Sequence, residues 1–173
     1  MVGAYTVFAN KGIRVEPLFV TRIEDSYGNT IANFTPQMSE VLTEDASYKM
    51  LHMLKSVIDG GTGGRVRFRY GIKAEMGGKT GTTQNNSDGW FMGFTPSLVS
   101  GCWVGGEDRS IHFDRLAEGQ GASMALPIYA LYMQKVYKDK TLGYSEDETF
   151  EIPEKYANPC SEGGEEDMSL IHI

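Results

Sequence analysis

Apolar positions first recur at helical spacing. Between Val2 and Asn10 the side chains of Ala4, Val7 and Phe8 fall on one helical face, and Lys11-Gly12 supplies a stop signal, so a short helix is expected. A helix that begins with the first residue reads as a chain entered part-way through an element. Pro17 to Ile23 is rich in branched and aromatic residues. The Asp25-Ser26-Tyr27-Gly28-Asn29 connection and the apolar pair Thr30-Ile31 then complete a small surface hairpin. A second helix is expected from Thr43 to about Asp59. Thr43 caps it, Glu44 and Asp45 sit at the positive end of its dipole, and Ala46, Met50, Leu54 and Val57 form its buried stripe. Gly60-Gly61 ends that helix. Arg65, Arg67 and Arg69 then alternate, with Lys73 just beyond, which reads as a loop or strand with a solvated basic side or, alternatively, an anion-attracting rim.

From Ala74 to Gly106 the pattern becomes that of a sheet. Ala74–Thr83, Asp88–Thr95 and Ser97–Gly105 read as three strands of an antiparallel meander, with Pro96 at the tight corner between the last two. Trp90 and Trp103, flanked by apolar neighbours, read as core residues rather than stacking platforms. Residues Arg109 to Gln120 look like a loop. Pro127 falls in the first turn of a helix that reaches about Lys138 and lays Ile128, Leu131, Tyr132 and Val136 on the sheet. The fold class is α+β, an antiparallel sheet with packed helices, divided into a body over residues 1–140 and an acidic C-terminal tail over 141–173.

Composition narrows the function classes. The 173 residues are 40% apolar and 23% charged, ordinary globular values that suit one domain or a piece cut from a larger one. A net charge of -7 argues against nucleic acid as a partner, because phosphate binding needs a cationic surface. Between Glu146 and Asp167 nine acidic residues face the single cation Lys155, the pattern of a solvated tail. Cys102 and Cys160 make no disulfide framework. Cys102 sits in an apolar run where a thiol packs as a small hydrophobe, and Cys160 lies in the acidic stretch. No run of apolar residues is long enough to span a bilayer, and the start lacks the basic segment of a signal peptide, so the chain as given reads as soluble.

The chemistry concentrates in Gly77-Gly78-Lys79-Thr80-Gly81-Thr82-Thr83. Small and hydroxylic residues leave an edge strand's backbone open, so an extended ligand could lie beside it while Lys79, Thr80 and Thr82 supply hydrogen bonds to an anion. A Lys-Ser/Thr-Gly triplet alone is weak, arising by accident in roughly one chain in ten of this length. A phosphate loop is excluded because Lys73 stands where its first glycine is needed. His52, His112 and His172 are isolated from one another and from cysteine or carboxylate ligands at metal spacing, so no metal is expected.

Context makes the triplet specific. Gly3-Ala4-Tyr5-Thr6-Val7-Phe8-Ala9-Asn10-Lys11-Gly12, Asp59-Gly60-Gly61-Thr62-Gly63, Gly78-Lys79-Thr80-Gly81-Thr82-Thr83, Asp88-Gly89-Trp90-Phe91-Met92-Gly93-Phe94-Thr95-Pro96 and Trp103-Val104-Gly105 occur in this order. Together they resemble the C-terminal part of the transpeptidase domain of class A, bifunctional penicillin-binding proteins, over about Val2 to Val136. The resemblance implies a partial β-lactamase/transpeptidase-like fold and a serine-type D-Ala-D-Ala transpeptidase that cross-links peptidoglycan. Such enzymes use Ser-x-x-Lys, Ser-x-Asn and Lys-Thr-Gly, and only the third occurs here.

By similarity, Lys79 orients substrate and supports proton transfer. The hydroxyls of Thr80 and Thr82 hold the carboxylate of a D-Ala-D-Ala stem peptide or β-lactam, with Thr83 extending the site. The Thr82 N–H forms half of the oxyanion hole, and Gly81 keeps the strand slim. No cofactor is implied. The partners implied are the stem peptide, β-lactams and the missing N-terminal half of the same domain. The implied parent carries an upstream glycosyltransferase domain and is anchored in the cytoplasmic membrane with this domain outside it. Lacking the serine nucleophile, the fragment alone is expected to be inactive. A non-catalytic module binding cell-wall peptide or a partner protein, or part of a D,D-carboxypeptidase or β-lactamase, shares the motif.

Overall fold

The computed structural model describes residues 1–157. Helix α1 (Val2–Ala9) leads into β1 (Ile13–Val15), which pairs antiparallel with β4 (Met38–Glu40). Between them lies the expected hairpin of β2 (Arg22–Glu24) and β3 (Thr30–Asn33). Its turn is held by the Asp25 carboxylate, which accepts the N–H groups of Tyr27 and Asn29 at 2.8 and 2.9 Å. This local network explains why the turn is legible in sequence.

Helix α2 (Glu44–Asp59) is capped as expected, the Thr43 hydroxyl accepting from the Ala46 N–H at 3.2 Å. Its buried stripe is shifted by one position for most of its length: Ser47, Leu51, Leu54 and Ile58 are buried, and of the expected Ala46, Met50, Leu54 and Val57 only Leu54 is. Ser47 joins the core because its hydroxyl donates to the Val7 carbonyl at 3.2 Å, so burial leaves no orphaned donor. The arginine segment is neither loop nor strand but the short helix α3 (Arg65–Phe68). Arg67 turns inward, donating to the carbonyls of Ile72 (3.0 Å) and Ala74 (2.6 Å) and pairing with Asp59 at 3.0 Å. A guanidinium with several acceptors holds the chain just before the sheet.

The sheet is β5 (Gly77–Thr82), β6 (Asp88–Phe94) and β7 (Val99–Gly105), antiparallel in the order β5-β6-β7. Side chains alternate between its faces. Gly93 faces Tyr129 so closely that a Cβ there would lie 2.3 Å from the ring carbon Cζ. The other face carries Phe94, whose ring meets Tyr5 of α1 at 6.3 Å and clusters with Leu51 and Leu54 of α2. Trp103, expected in the core, is 48% exposed, because β7 is the outer strand of the described sheet. Cys102 packs against the core, and burial pushes its thiol pKa up, as a structural thiol requires.

The segment expected as a loop contains α4 (Leu116–Gly119) and is followed by α5 (Gly121–Lys138), which starts well before Pro127. Its apolar face also differs from expectation. Ala122, Ala125, Leu126, Tyr129, Ala130 and Met133 are buried along with the expected Val136, whereas Ile128, Leu131 and Tyr132 are exposed. The inward face mixes small and large residues because the glycines of β6 make the room: Gly93 lies against the Tyr129 ring, and at Gly89 a Cβ would come within 2.9 Å of Gly121 Cα.

Residues 141–157 do not form the expected solvated tail. Phe150 is buried against Phe94, Leu51 and Leu54, and its N–H donates to Glu75 at 2.8 Å, while Lys55 pairs with the same carboxylate. Helix α6 (Glu154–Ala157) is fastened to α2 by Tyr156, whose hydroxyl donates to Asp45 at 2.6 Å and whose ring stacks on Tyr48. Acidic residues of this stretch also hold the body: Glu146 accepts the Lys73 N–H at 3.0 Å, Glu148 accepts from the Ser97 hydroxyl, and Glu151 pairs with Lys11. The rest of the tail, with Cys160, lies outside the described residues.

Candidate active-site strand

Strand β5 pairs with β6 alone and forms an edge of the described sheet. Which of its backbone groups face outward follows from the ladder. Hydrogen-bonded and non-hydrogen-bonded pairs alternate between antiparallel strands. Thr83 donates its N–H to Asp88 O at 3.0 Å, in register with Gly81↔Trp90 and Lys79↔Met92. Positions 83, 81, 79 and 77 therefore point toward β6, and the N–H and C=O groups of Gly78, Thr80 and Thr82 point to the open edge. Lys79 agrees with this parity: its Nζ curls back to donate to the Thr80 carbonyl at 2.7 Å.

The side chains follow the same alternation. Thr80 and Thr82 share the α5 face with Gly78, and Lys79 and Gly81 share the opposite face with Gly77. Glycine is required at 78, where a Cβ would lie 2.9 Å from the Met92 backbone carbonyl, which cannot swing aside, and 2.8 Å from Ile58 Cδ1; a side chain there would push against the neighbouring strand β6. At Gly81 the nearest atom to an added Cβ is Trp90 Cβ at 3.2 Å.

Each hydroxyl has a structural partner. Thr80 Oγ1 lies 2.8 Å from Thr62 Oγ1, and Thr82 Oγ1 accepts the N–H of Gly121, the first residue of α5, at 3.1 Å. Because Thr82 is the acceptor in that bond, its own proton remains available to an incoming anion. Thr83 is engaged differently: its hydroxyl accepts from the Asp88 N–H at 3.1 Å and lies 3.0 Å from Ser87 Oγ, fixing the β5–β6 turn. Lys79, Thr80, Gly81 and Thr82 are therefore brought together along one open edge, and Thr83 closes the turn beside them.

Two contributors were missed in the sequence. Thr62 was noticed only as part of a glycine block, and Arg65, read as a solvated cation, donates to the Ala122 carbonyl at 3.0 Å and to Ser123 Oγ at 2.9 Å, anchoring the start of α5 next to Thr82. Neither contact has a local signal, since each joins segments distant in sequence. The cavity of about 250 Å³ lined by Ser47, Tyr48 and Phe150 lies away from β5. The candidate site is an open border, not an enclosed pocket.

The comparisons with known proteins agree with this architecture. The family model described as the penicillin binding protein transpeptidase domain matches residues 1–101. Penicillin-binding protein 1A of Aquifex aeolicus is 36% identical over 153 residues, covering 88% of this chain and 20% of the relative. Its counterpart in Rickettsia conorii is 34% identical, covering 81% of this chain and again 20% of the relative. The chain thus spans about a fifth of the length of these curated relatives.

Among solved structures, penicillin-binding protein 1A from Haemophilus influenzae superimposes with a TM-score of 0.74 at 24% identity, covering 89% of this chain and 27% of that one. An imipenem acyl-enzyme complex of penicillin-binding protein A from M. tuberculosis gives a TM-score of 0.61 at 18% identity, covering 77% and 29%. These two likenesses establish the fold, which is the helix-and-antiparallel-sheet fold of transpeptidase domains in part. The extent of the family match, joined to relatives above 30% identity, shows that the chain belongs to the penicillin-binding protein transpeptidase family, as part of a class A transpeptidase domain.

Proposed function

We propose that β5 forms the substrate-clamping side of a peptidoglycan D,D-transpeptidase that cross-links cell-wall stem peptides and is acylated by β-lactams. The observation that carries this reading is the outward-facing Thr82 N–H on an unpaired strand edge, flanked by the Lys79 ammonium and the hydroxyls of Thr80 and Thr82. A peptide ending in a free carboxylate needs an anion clamp and a donor aimed at the oxyanion that develops during acyl transfer. Here the hydroxyls of Thr80 and Thr82 hold the carboxylate, and the Thr82 N–H points where the oxyanion forms. Lys79 leaves the Thr80 carbonyl to orient substrate and support proton transfer, Gly81 keeps the strand slim, and Thr83 supports the site by holding its turn.

The nucleophile belongs to the complete enzyme, since no Ser-x-x-Lys occurs in the 173 residues. That serine attacks the carbonyl of the penultimate residue, expels the terminal D-Ala, and passes the acyl group to an acceptor amine. The reading puts this domain on the outer side of the cytoplasmic membrane, in a parent anchored there. Among the described residues no helix is long and apolar enough to cross a membrane.

Covalent labelling by a fluorescent penicillin tests the reading. The complete enzyme should label, Lys79→Ala should slow labelling by about a hundredfold or more, and the 173-residue chain alone should not label. Normal labelling of the Lys79 variant, or any covalent labelling of the isolated chain, would count against it.

A further inference from the structure

The glycine turn after α2 carries a hydroxyl that no role above has used. The Gly63 N–H donates to the Val57 carbonyl at 2.9 Å and the Gly64 N–H to the Gly61 carbonyl at 3.0 Å. A Cβ at Gly61 would lie 2.8 Å from Val57 Cα, and one at Gly63 would lie 2.8 Å from Ile58 Cδ1. The turn is therefore folded down on the last turn of α2, in space that only glycine leaves free. Thr62 sits at its apex, exposed, with Oγ1 2.8 Å from Thr80 Oγ1.

A threonine hydroxyl has one proton to give and can accept two. The pair spends one proton between its members and keeps the other. If Thr62 donates to Thr80, the Thr80 proton is directed away from Thr62 toward the open edge, and a donor already polarised by accepting a hydrogen bond is a better donor. Without Thr62, the Thr80 hydroxyl is free to rotate, and its direction must be set anew each time a ligand arrives.

We propose that Thr62 is a positioning residue of the carboxylate clamp, acting through Thr80: its hydroxyl orients and polarises the Thr80 O–H toward the ligand's carboxylate. This rests on the reading of β5 as the strand that receives that carboxylate. The glycines around Thr62 serve the same end, since they bring the turn close enough for the two hydroxyls to meet.

The test uses the complete transpeptidase that carries this chain, acylated by a penicillin and, separately, by the methyl ester of the same penicillin. Thr62→Val should lower the second-order acylation constant for the free acid by about tenfold, the scale of weakening one hydrogen bond to a charged group. The loss should lie in pre-covalent binding, with the rate at saturation changed little. The ester, which offers no carboxylate, should be affected far less, so the acid-to-ester ratio falls. Thr62→Ser should restore the ratio to within about threefold, and the Thr62→Val/Thr80→Val double variant should be no slower than Thr80→Val alone.

Equal losses on acid and ester would show a merely structural role and overturn the proposal. So would an unchanged ratio in Thr62→Val alongside a lowered ratio in Thr80→Val, a pattern that leaves the clamp itself standing. An unchanged ratio in Thr80→Val would instead defeat the clamp reading, and the role of Thr62 with it.

Discussion

Replacing Thr82 by proline separates the backbone of β5 from its side chains. Proline has no N–H and fixes φ near the extended range, so it is tolerated on an edge strand where the missing N–H faces outward and is disruptive where the N–H belongs to the ladder. Thr82 is an outward position, because the Thr83 N–H, one residue on, donates inward to Asp88 O. Thr82→Pro therefore keeps the pairing with β6. It removes the outward donor and the hydroxyl that accepts from Gly121 at 3.1 Å. Losing that hydroxyl costs about 1 kcal/mol of stability, and Thr82→Val, which keeps the N–H, bears the same cost.

The difference between the two variants isolates the N–H. An oxyanion donor is worth about a hundred- to a thousandfold in rate, or about 3–4 kcal/mol. Thr82→Pro should therefore acylate with penicillin about a hundredfold or more slowly than Thr82→Val, while the two unfold at similar temperatures. Stopped-flow acylation with a chromogenic cephalosporin measures the rates, and circular dichroism on heating measures the unfolding. Acylation of Thr82→Pro within threefold or so of Thr82→Val would refute the outward donor's role. Thr83→Pro supplies the converse: its N–H lies in the ladder, so beyond the loss of the hydroxyl that accepts the Asp88 N–H, which Thr83→Val shares, it should destabilise the domain by about 1–3 kcal/mol more through orphaning Asp88 O. If Thr82→Pro proved the more destabilising of the two, the assigned parity of the strand would be wrong.

Phe150→Ala removes a ring that is 7% exposed and packed on Phe94, Leu51 and Leu54, so it should cost about 3 kcal/mol in urea unfolding and open residues 144–157 to proteolysis. A cost below about 1 kcal/mol, typical of surface changes, would mean that the segment is not docked. Asp45 has its carboxyl held at about 2, chiefly by the Tyr156 hydroxyl and then by Lys155. A depressed carboxyl pKa stabilises fully above the ordinary value near ~3.9 and loses its contribution as pH falls through the folded value. The attachment of α6 should therefore persist at pH 4 and weaken toward pH 2. The NMR shift of the Tyr156 ring reports this, and a midpoint near 4 would remove the bond from the account.

The meander and its edge were legible because their signals are local: alternation, paired glycines and Pro96 at a corner. The buried faces of both long helices were not. In α2 the reading favoured apolar side chains at helical spacing, yet a serine with a carbonyl to bond, Ser47, is as fully buried as any of them. In α5 the apolar Ile128 and Leu131 face outward, because the inner face is set by the glycines of β6: Gly93 leaves room for the Tyr129 ring and Gly89 lets the Gly121 backbone approach. The charged segments misled for a related reason. Arg65 finds the Ala122 carbonyl, Glu75 the Phe150 N–H and Glu148 the Ser97 hydroxyl in distant parts of the chain, and only the folded partner distinguishes such a charge from a solvated one. Lys79, Thr80 and Thr82 could be named as candidates from sequence, but the Thr62–Thr80 contact that joins two of the glycine blocks could not.

An unpaired strand edge is a hazard as well as a binding surface, since it offers its backbone to any extended chain. β5 meets both demands with the same residues. Its side chains are small, hydroxylic or charged, so the edge has no apolar stripe to recruit a partner strand. Lys79 adds a second safeguard: by donating to the Thr80 carbonyl it occupies an outward acceptor that a pairing strand would need. A neutral strand has no charge with which to draw the ammonium away, whereas a ligand ending in a carboxylate does, and charge-assisted hydrogen bonds are the stronger kind. On the reading proposed for β5, the edge is thereby biased toward anionic chain ends over chain middles, as a transpeptidase acting at a peptide's terminus would require.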